Sequence, residues 1–142
     1  MLKGIDPLIG PELLRALALM GHGDRIVVTD ANFPAASVGN ATVLGTALRM
    51  ECDAPRALEA ILSLMPLDTY IDDPVLTMQV VGDPNAMPEV VTDALPVFTR
   101  EGAKPKGVER FEFYDMARRT FAVLRTTETR PYGNFILSKG VL

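Results

Sequence analysis

Cysteine and histidine are almost absent from this chain of 142 residues, which contains one of each and no tryptophan. Because Cys52 is alone, no internal disulfide can form, and one thiolate with one imidazole does not make a zinc or similar transition-metal site. Asp68, Asp72 and Asp73 lack the spacing of a calcium loop. The sequence therefore predicts no metal, and the unpaired cysteine suits a reducing compartment.

Long apolar runs and an excess of basic charge are also missing. No apolar segment approaches the roughly 20 residues that cross a bilayer, and the first residues lack the apolar core of a signal peptide. With 14 Lys and Arg against 18 Asp and Glu, the net charge of −4 argues against a nucleic-acid partner. Neither standard glycine-rich phosphate motif is present. We expect a soluble, cytoplasmic protein without a cofactor.

The length and the order of the apolar patterns predict one domain over residues 1–142. Helical spacing, caps and first-turn prolines predict helices over 11–20, 54–65, 88–100 (with Pro96 inside) and 112–119. Runs of β-branched and apolar residues predict strands over 25–30, 42–48, 75–81, 106–109, 121–126 and 134–138, the last two as a closing pair, and 32–40 as a loop. This alternation predicts a single layered α/β/α domain with a mixed central sheet.

The single histidine, His22, lies between Gly21 and Gly23, in the turn after the first predicted helix. Imidazole is the side chain that changes charge closest to neutral pH, which makes it the usual proton shuttle in enzymes. The alternative is structural, since an imidazolium can also complement the negative end of a helix. His22 is therefore a candidate catalytic residue, with the structural role left open.

Asp30 lies at the carboxyl end of the strand predicted over 25–30. In open α/β sheets ligands collect beyond such strand ends, which favours a role in binding or catalysis. An aspartate in this place can instead serve only to hydrogen-bond the next turn. We expect Asp30 and His22 to lie near one edge of the sheet, where the carboxylate orients the imidazole or binds a ligand hydroxyl.

Two further groups combine polar and aromatic side chains. Tyr132, Gly133 and Asn134 offer hydroxyl and amide groups that suit an uncharged polyhydroxylated ligand, although a tight turn alone also explains the glycine and the asparagine. Arg110 starts an aromatic segment, where it is either a ligand clamp or half of an ion pair at a helix start. These candidates leave two functions open: cofactor-free acid–base catalysis or ligand binding without catalysis.

Ordered blocks of the sequence resemble the fucose mutarotase and ribose pyranase family over nearly the whole chain. The blocks are 11–14 (PELL), 20–24 (MGHGD), 30–35 (DANFPA), 66–70 (PLDTY), 109–114 (ERFEFY), 132–134 (YGN) and 139–141 (KGV). Within the family, Phe33-Pro34-Ala35 and Arg110-Phe111 resemble the fucose mutarotase branch.

The resemblance implies a sugar isomerase that acts on a free monosaccharide, L-fucose foremost. It implies a catalytic His22 and sugar contacts from Asp30, Arg110, Tyr132, Gly133 and Asn134. The chemistry of mutarotation, which needs a second acid–base group, adds Asp30 and Tyr132 to the candidate catalytic residues. In this hypothesis His22 is the principal proton donor and acceptor, and Tyr132 assists at the second oxygen. The resemblance also implies a homo-oligomer, such as a decameric ring with sites at subunit boundaries. D-Ribose pyranase activity and a non-catalytic sugar-binding role stay open as alternatives.

Overall fold

A mixed sheet of six strands forms the centre of the structure, a computed structural model that describes residues 1–142. The helices are α1 (Pro11–Leu19), α2 (Ala35–Asn40), α3 (Ala54–Leu62), α4 (Glu89–Arg100) and α5 (Arg110–Arg118). The strands are β1 (Arg25–Thr29), β2 (Ala47–Arg49), β3 (Val75–Met78), β4 (Lys106–Val108), β5 (Ala122–Arg125) and β6 (Phe135–Ser138). None of the helices has the length and apolarity needed to cross a bilayer.

The strand order in the sheet is β2-β5-β1-β6-β3-β4. Strands β2, β5 and β1 are parallel, β3 and β4 are parallel, and β6 runs antiparallel between β1 and β3. The sheet is therefore mixed, as predicted. The order also corrects one prediction: β5 and β6 do not form a closing pair, because β1 lies between them.

Helices cover both faces of the sheet. Along β1, Ile26 and Val28 belong to a core of 27 buried residues shared with α1, α3 and α4, whereas Val27 belongs to a core of 10 shared with α2 and α5. Successive side chains of a strand point to opposite faces, so a strand covered on both sides needs apolar residues at every position. This explains the unbroken apolar run, and it confirms the layered α/β/α arrangement.

Local signals place several helix boundaries. At the start of α3 the Asp53 carboxylate accepts a hydrogen bond from Arg56 N–H at 2.9 Å, and Glu109 caps the start of α5 in the same way. Helix α4 continues through Pro96, as predicted. The ring removes one backbone hydrogen bond, but the apolar face of α4 stays buried against α3.

Two predicted segments differ from the structure. The predicted loop over 32–40 contains α2, and the strand predicted over 42–48 is reduced to the short strand β2. The two elements pack closely at Gly39, where a Cβ atom would come within 2.7 Å of the Ala47 backbone nitrogen. Because glycine has low helix propensity, α2 depends on this packing against β2. The local pattern of residues 32–40 does not indicate such a contact.

Candidate functional site

The carboxyl end of β1 opens into a cleft of about 290 Å³, a size that suits a small ligand. Its walls come from the loop after β1, the end of β3, the start of α5 and the turn before β6. Asp30, Arg110, Tyr132 and Asn134 all line this cleft, and Gly133 adjoins it through a hydrogen bond to Asp30. The structure therefore brings together all five residues predicted to contact a sugar. A neighbouring cavity of about 550 Å³ contains none of them.

Asp30 is almost fully buried, with 4% of its surface exposed. Its Oδ1 accepts hydrogen bonds from the backbone N–H groups of Asn32 at 3.0 Å and Phe33 at 2.9 Å. Its Oδ2 accepts from Gly133 N–H and Asn134 Nδ2, both at 3.2 Å, and Asn134 Oδ1 in turn accepts from Asp30 N–H. Asp30 therefore ties the turn before β6 to the end of β1.

The environment of Asp30 favours a positioning role over proton exchange. Burial raises the pKa of the Asp30 carboxyl, because the charged form loses its water, and the four donors act in the opposite direction. A carboxylate has about four lone-pair sites, and all four are filled from within the chain. Of the roles considered for Asp30, the geometry supports the structural one, in which the carboxylate hydrogen-bonds the next turn, and here it also bonds the turn before β6.

Tyr132 has a φ of +63° and is the one non-glycine residue with a positive value. This backbone conformation costs an aromatic residue about 1–3 kcal/mol, so surrounding contacts must hold it. The Tyr132 hydroxyl oxygen accepts a hydrogen bond at 3.1 Å from Val81 N–H, beyond the end of β3, which stops at Met78 rather than at the predicted residue 81. Since Val81 fills an acceptor site, the phenol proton is free to be donated elsewhere.

Arg110 begins α5 and lies against aromatic rings. Its guanidinium carbon is 5.5 Å from the ring centroid of Tyr114 and 5.7 Å from that of Phe111, distances typical of cation–π contacts. The neighbouring carboxylate of Glu109 accepts backbone N–H groups instead of pairing with the guanidinium. The ion-pair interpretation of Arg110 is therefore wrong, and its place in the cleft favours the ligand clamp.

His22 lies at the other end of β1, paired with an aspartate that is not Asp30. Its Nε2 is 3.1 Å from Asp68 Oδ1, and the Tyr70 ring packs on the imidazole with centroids 5.4 Å apart. Tyr70 N–H donates to the same Asp68 oxygen at 3.0 Å. This bond, and to a lesser degree the bond with His22, lowers the pKa of the Asp68 carboxyl, so Asp68 is ionised at neutral pH. The imidazole itself is 45% exposed.

The prediction that Asp30 orients His22 is wrong within one chain. A strand rises about 3.3 Å per residue, so the five residues of β1 alone separate the two by roughly 17 Å. Strand β6 shows the same separation: Asn134, bonded to Asp30, precedes it, whereas Ser138 at its far end accepts from Asp68 N–H. A single chain therefore keeps its imidazole away from its own cleft.

The turn that carries His22 is held from several sides. Asp24 accepts from Gly21 N–H at 2.7 Å, and Gly23, with a φ of +84°, donates to the Lys139 carbonyl at 2.8 Å. The Lys139 ammonium donates to two carbonyls at the end of α1. Lys139 therefore supplies positive charge at the carboxyl end of α1, whereas His22 bonds Asp68.

Asp68 is the residue that the reasoning from single residues missed. It lies 46 positions from His22, in the segment 68–74, whose polar residues predict only a loop. The block 66–70 of the family resemblance is the one sequence signal that could have singled it out.

The fold and the cleft define a class: a mixed-sheet α/β protein that presents hydroxyl, amide and guanidinium groups to a small polar ligand. The sequence matches the RbsD / FucU transport protein family over residues 3–142. The chain belongs to this family, which confirms the resemblance drawn from the sequence blocks.

Relatives extend over the whole chain. Human fucose mutarotase is 45% identical over 150 aligned residues, which cover 99% of this chain and 94% of the human protein. The crystal structure of the fucose mutarotase from Streptococcus pneumoniae in complex with L-fucose is 36% identical, with a TM-score of 0.89 and coverage of 99% of each chain. The structure of Bacillus subtilis RbsD complexed with D-ribose, at 23% identity and a TM-score of 0.73, supports the fold alone.

Proposed function

We propose that this chain is an isomerase, a mutarotase that interconverts the α and β anomers of free L-fucose without a cofactor. One observation carries the proposal: a single small cleft gathers the five residues that the family resemblance implies for sugar contact. The fold is shared with a fucose mutarotase that was solved with L-fucose.

Mutarotation needs two proton transfers at the anomeric centre. A base takes the proton of the O1 hydroxyl while an acid protonates the ring oxygen, and the C1–O5 bond breaks to give the open-chain aldehyde. Rotation about C1–C2 then presents the other face of the aldehyde to the C5 hydroxyl, and the reverse transfers close the ring. No electrons leave the sugar, and positioned acid–base groups typically contribute about 10²–10⁴-fold.

The cleft supplies one of the two acid–base groups and the contacts that orient the sugar. In our proposal Tyr132 donates its phenol proton, while Val81 N–H stabilises the negative charge that develops on its oxygen. Arg110 holds sugar oxygens with the fork of its guanidinium, and Asn134 offers its second amide hydrogen. Asp30 holds the turn that carries Tyr132 and Asn134 in place through its hydrogen bonds to Gly133 and Asn134.

We propose that the second group is His22 of another copy of the chain. Asp68 engages Nε2, which fixes the direction of the imidazole and leaves Nδ1 free to exchange a proton. Because the cleft and His22 lie at opposite ends of β1, the contact between copies joins two different surfaces. Such head-to-tail contacts generate rings when the rotation closes. The proposed state is a cytoplasmic homo-oligomer of one-domain subunits, ten being the number that the resemblance implies.

Two other functions are alternatives to this proposal. A single copy has a sugar-sized cleft without an imidazole, which is what a non-catalytic sugar-binding protein requires. Ribose pyranase activity is the second alternative. It would use the same ring opening, followed by closure on a different hydroxyl.

Saturation-transfer proton NMR on L-fucose at equilibrium tests the proposal. The wild type should transfer saturation between the two anomeric protons, and His22→Ala should reduce the exchange rate at least 100-fold while the fold is kept. Arg118→Ala, at an exposed ion pair on α5, is the matched control and should exchange like the wild type. Binding of L-fucose without exchange in the wild type would favour the sugar-binding function, and exchange with D-ribose alone would favour the pyranase.

Mixing two inactive variants tests whether the site is shared between copies. His22→Ala keeps an intact cleft, and Tyr132→Phe keeps an intact imidazole, so sites rebuilt at their boundaries should be active. Random 1:1 reassembly after denaturation should restore about one quarter of the wild-type sites, because each site needs one intact group from each neighbour. No recovery from a mixture that reassembles into oligomers would refute the shared site.

A further inference from the structure

A partly buried ion pair lies outside the cleft, in the segment 126–134 that joins β5 to β6. Glu128 is 3% exposed, and its carboxylate accepts from the backbone N–H, Nε and Nη2 of Arg130 at 2.9–3.0 Å. The same carboxylate accepts from Ala54 N–H at 3.2 Å, at the start of α3. Arg130 also donates to Asp93 on α4. The pair therefore ties one turn of the chain to two helices.

This ion pair is packed directly against the turn that lines the cleft. A Cβ atom at Gly133 would lie 3.0 Å from Glu128 Cγ and 3.3 Å from Asp30 Cβ. The backbone of Gly133 thus lies between the side chains of Glu128, in the ion pair, and Asp30, in the cleft. In addition, Ala31 N–H donates to the Glu128 carbonyl at 2.8 Å. A movement of Glu128 would therefore move both sides of the cleft.

Tyr132 is the residue most sensitive to such a movement, since it lies between Arg130 and Gly133 with a left-handed backbone that its side chain disfavours. We propose that Glu128 and Arg130 are positioning residues, which hold Tyr132 in this conformation and thereby aim its hydroxyl into the cleft. The proposal rests on the proposed function for its catalytic meaning.

The form of the interaction supports this role. A buried ion pair adds little net stability compared with apolar side chains of similar size, whereas the two-pronged contact of a guanidinium with a carboxylate fixes distance and direction. Here all three guanidinium nitrogens have partners. Nε and Nη2 donate to the two oxygens of the Glu128 carboxylate, and Nη1 donates to Asp93 on α4.

Arg130→Met and Arg130→Lys test the proposal. The first removes the positive charge, and the second keeps the charge but removes the guanidinium and its two-pronged contact. We expect kcat to fall about 10-fold to 100-fold in Arg130→Met, as displaced catalytic groups do, and less in Arg130→Lys. The matched control is Arg100→Met, which removes the same side chain from an exposed pair with Glu59 on the adjoining helices. Its kcat and KM should equal those of the wild type.

A fluorine signal provides a readout that needs no activity. The chain has three tyrosines, Tyr70, Tyr114 and Tyr132, so 3-fluorotyrosine labelling gives three ¹⁹F resonances, and Tyr132→Phe identifies the third. In Arg130→Met the Tyr132 resonance should shift or broaden, while that of Tyr70, at the other end of β1, should stay in place. In Arg100→Met all three should stay in place.

A folded Arg130→Met protein with lowered thermal stability but unchanged kcat and an unmoved Tyr132 resonance would overturn the proposal. Should Arg130→Met fail to fold, Arg130→Lys decides the question by the same two readouts. A wild type without exchange activity would count against the proposed function, and the fluorine signal would still decide whether the ion pair positions Tyr132.

Discussion

At the scale of residues, two buried aspartates at opposite ends of β1 differ in what they leave free. Asp30 receives four hydrogen bonds from its own chain, so it orders the backbone around the cleft. Asp68 receives Tyr70 N–H and faces an imidazole that is still partly exposed. The first carboxylate therefore acts through the shape of the site, whereas the second acts through the direction of His22.

Asp30→Asn should lower both stability and sugar binding. The amide keeps one acceptor oxygen but directs its NH₂ group at two N–H donors, which leaves buried groups unsatisfied at a cost of about 1–3 kcal/mol. We expect this loss in the free energy of unfolding measured with urea, together with a raised KM for L-fucose. Asp115→Asn, at an exposed pair on α5, should change stability by less than about 0.5 kcal/mol. Equal stability of Asp30→Asn and the wild type would contradict this account.

At the scale of elements, the start of α5 has a functional consequence that the start of α3 does not have. Asp53 and Glu109 each cap a helix by accepting backbone N–H groups. The first residue of α5 is Arg110, which lines the cleft, whereas no residue of α3 lines it. The cap of α5 therefore also fixes the place of the guanidinium.

Asp53→Ala and Glu109→Ala form a matched pair that separates these two effects. Both should cost about 1 kcal/mol of unfolding free energy, the usual cost of losing such a cap. Glu109→Ala alone should raise KM severalfold, because the first turn of α5 frays and takes Arg110 with it. Unfolding curves in urea and initial rates of anomer exchange supply the two numbers. A KM effect of equal size in Asp53→Ala would contradict a specific effect of the α5 cap on Arg110.

The elements that the sequence predicts well are those with local signals. Asp53, two residues before Pro55, predicts the start of α3, and the unbroken apolar run 26–28 predicts β1, both without reference to the rest of the chain. Helix α2 and the short β2 depend instead on the close approach of Gly39 to Ala47. Such a contact leaves no periodic pattern in the sequence, so the predictions for residues 32–40 and 42–48 differ from the structure.

The features of the candidate site likewise differ in whether the sequence predicts them. The cleft could be predicted because a strand end and a Tyr-Gly-Asn turn both carry polar groups typical of sugar contacts. The separation of His22 from Asp30 could also be predicted, because the strand predicted over 25–30 lies between them, whereas the contact of His22 with Asp68, 46 positions away, has no local signal. One end of β6 follows Asn134 and the other bonds Asp68, so a single strand connects both halves of the proposed site.

At the scale of the whole molecule, buried carboxylates set the response to acid. The bonds from Arg130 lower the pKa of Glu128 from 4.5 to about 2, so its ionised form favours the folded state by about 3 kcal/mol above pH 4.5. That contribution is lost as the pH falls from about 5 to 2. Asp30 acts with the opposite sign, since burial raises its pKa and its protonation favours the folded state in acid.

Glu128→Gln should therefore be less stable than the wild type at pH 7 and should approach it as the pH falls. The wild type loses the contribution of Glu128 between about pH 5 and 2, whereas the amide has no proton to gain, so the two stability curves converge. Urea unfolding at a series of pH values between 7 and 2.5 measures both curves. Glu59→Gln, at an exposed pair on α3, is the control, and its curve should run alongside that of the wild type. Parallel curves for Glu128→Gln would show that acid stability is set elsewhere in the molecule.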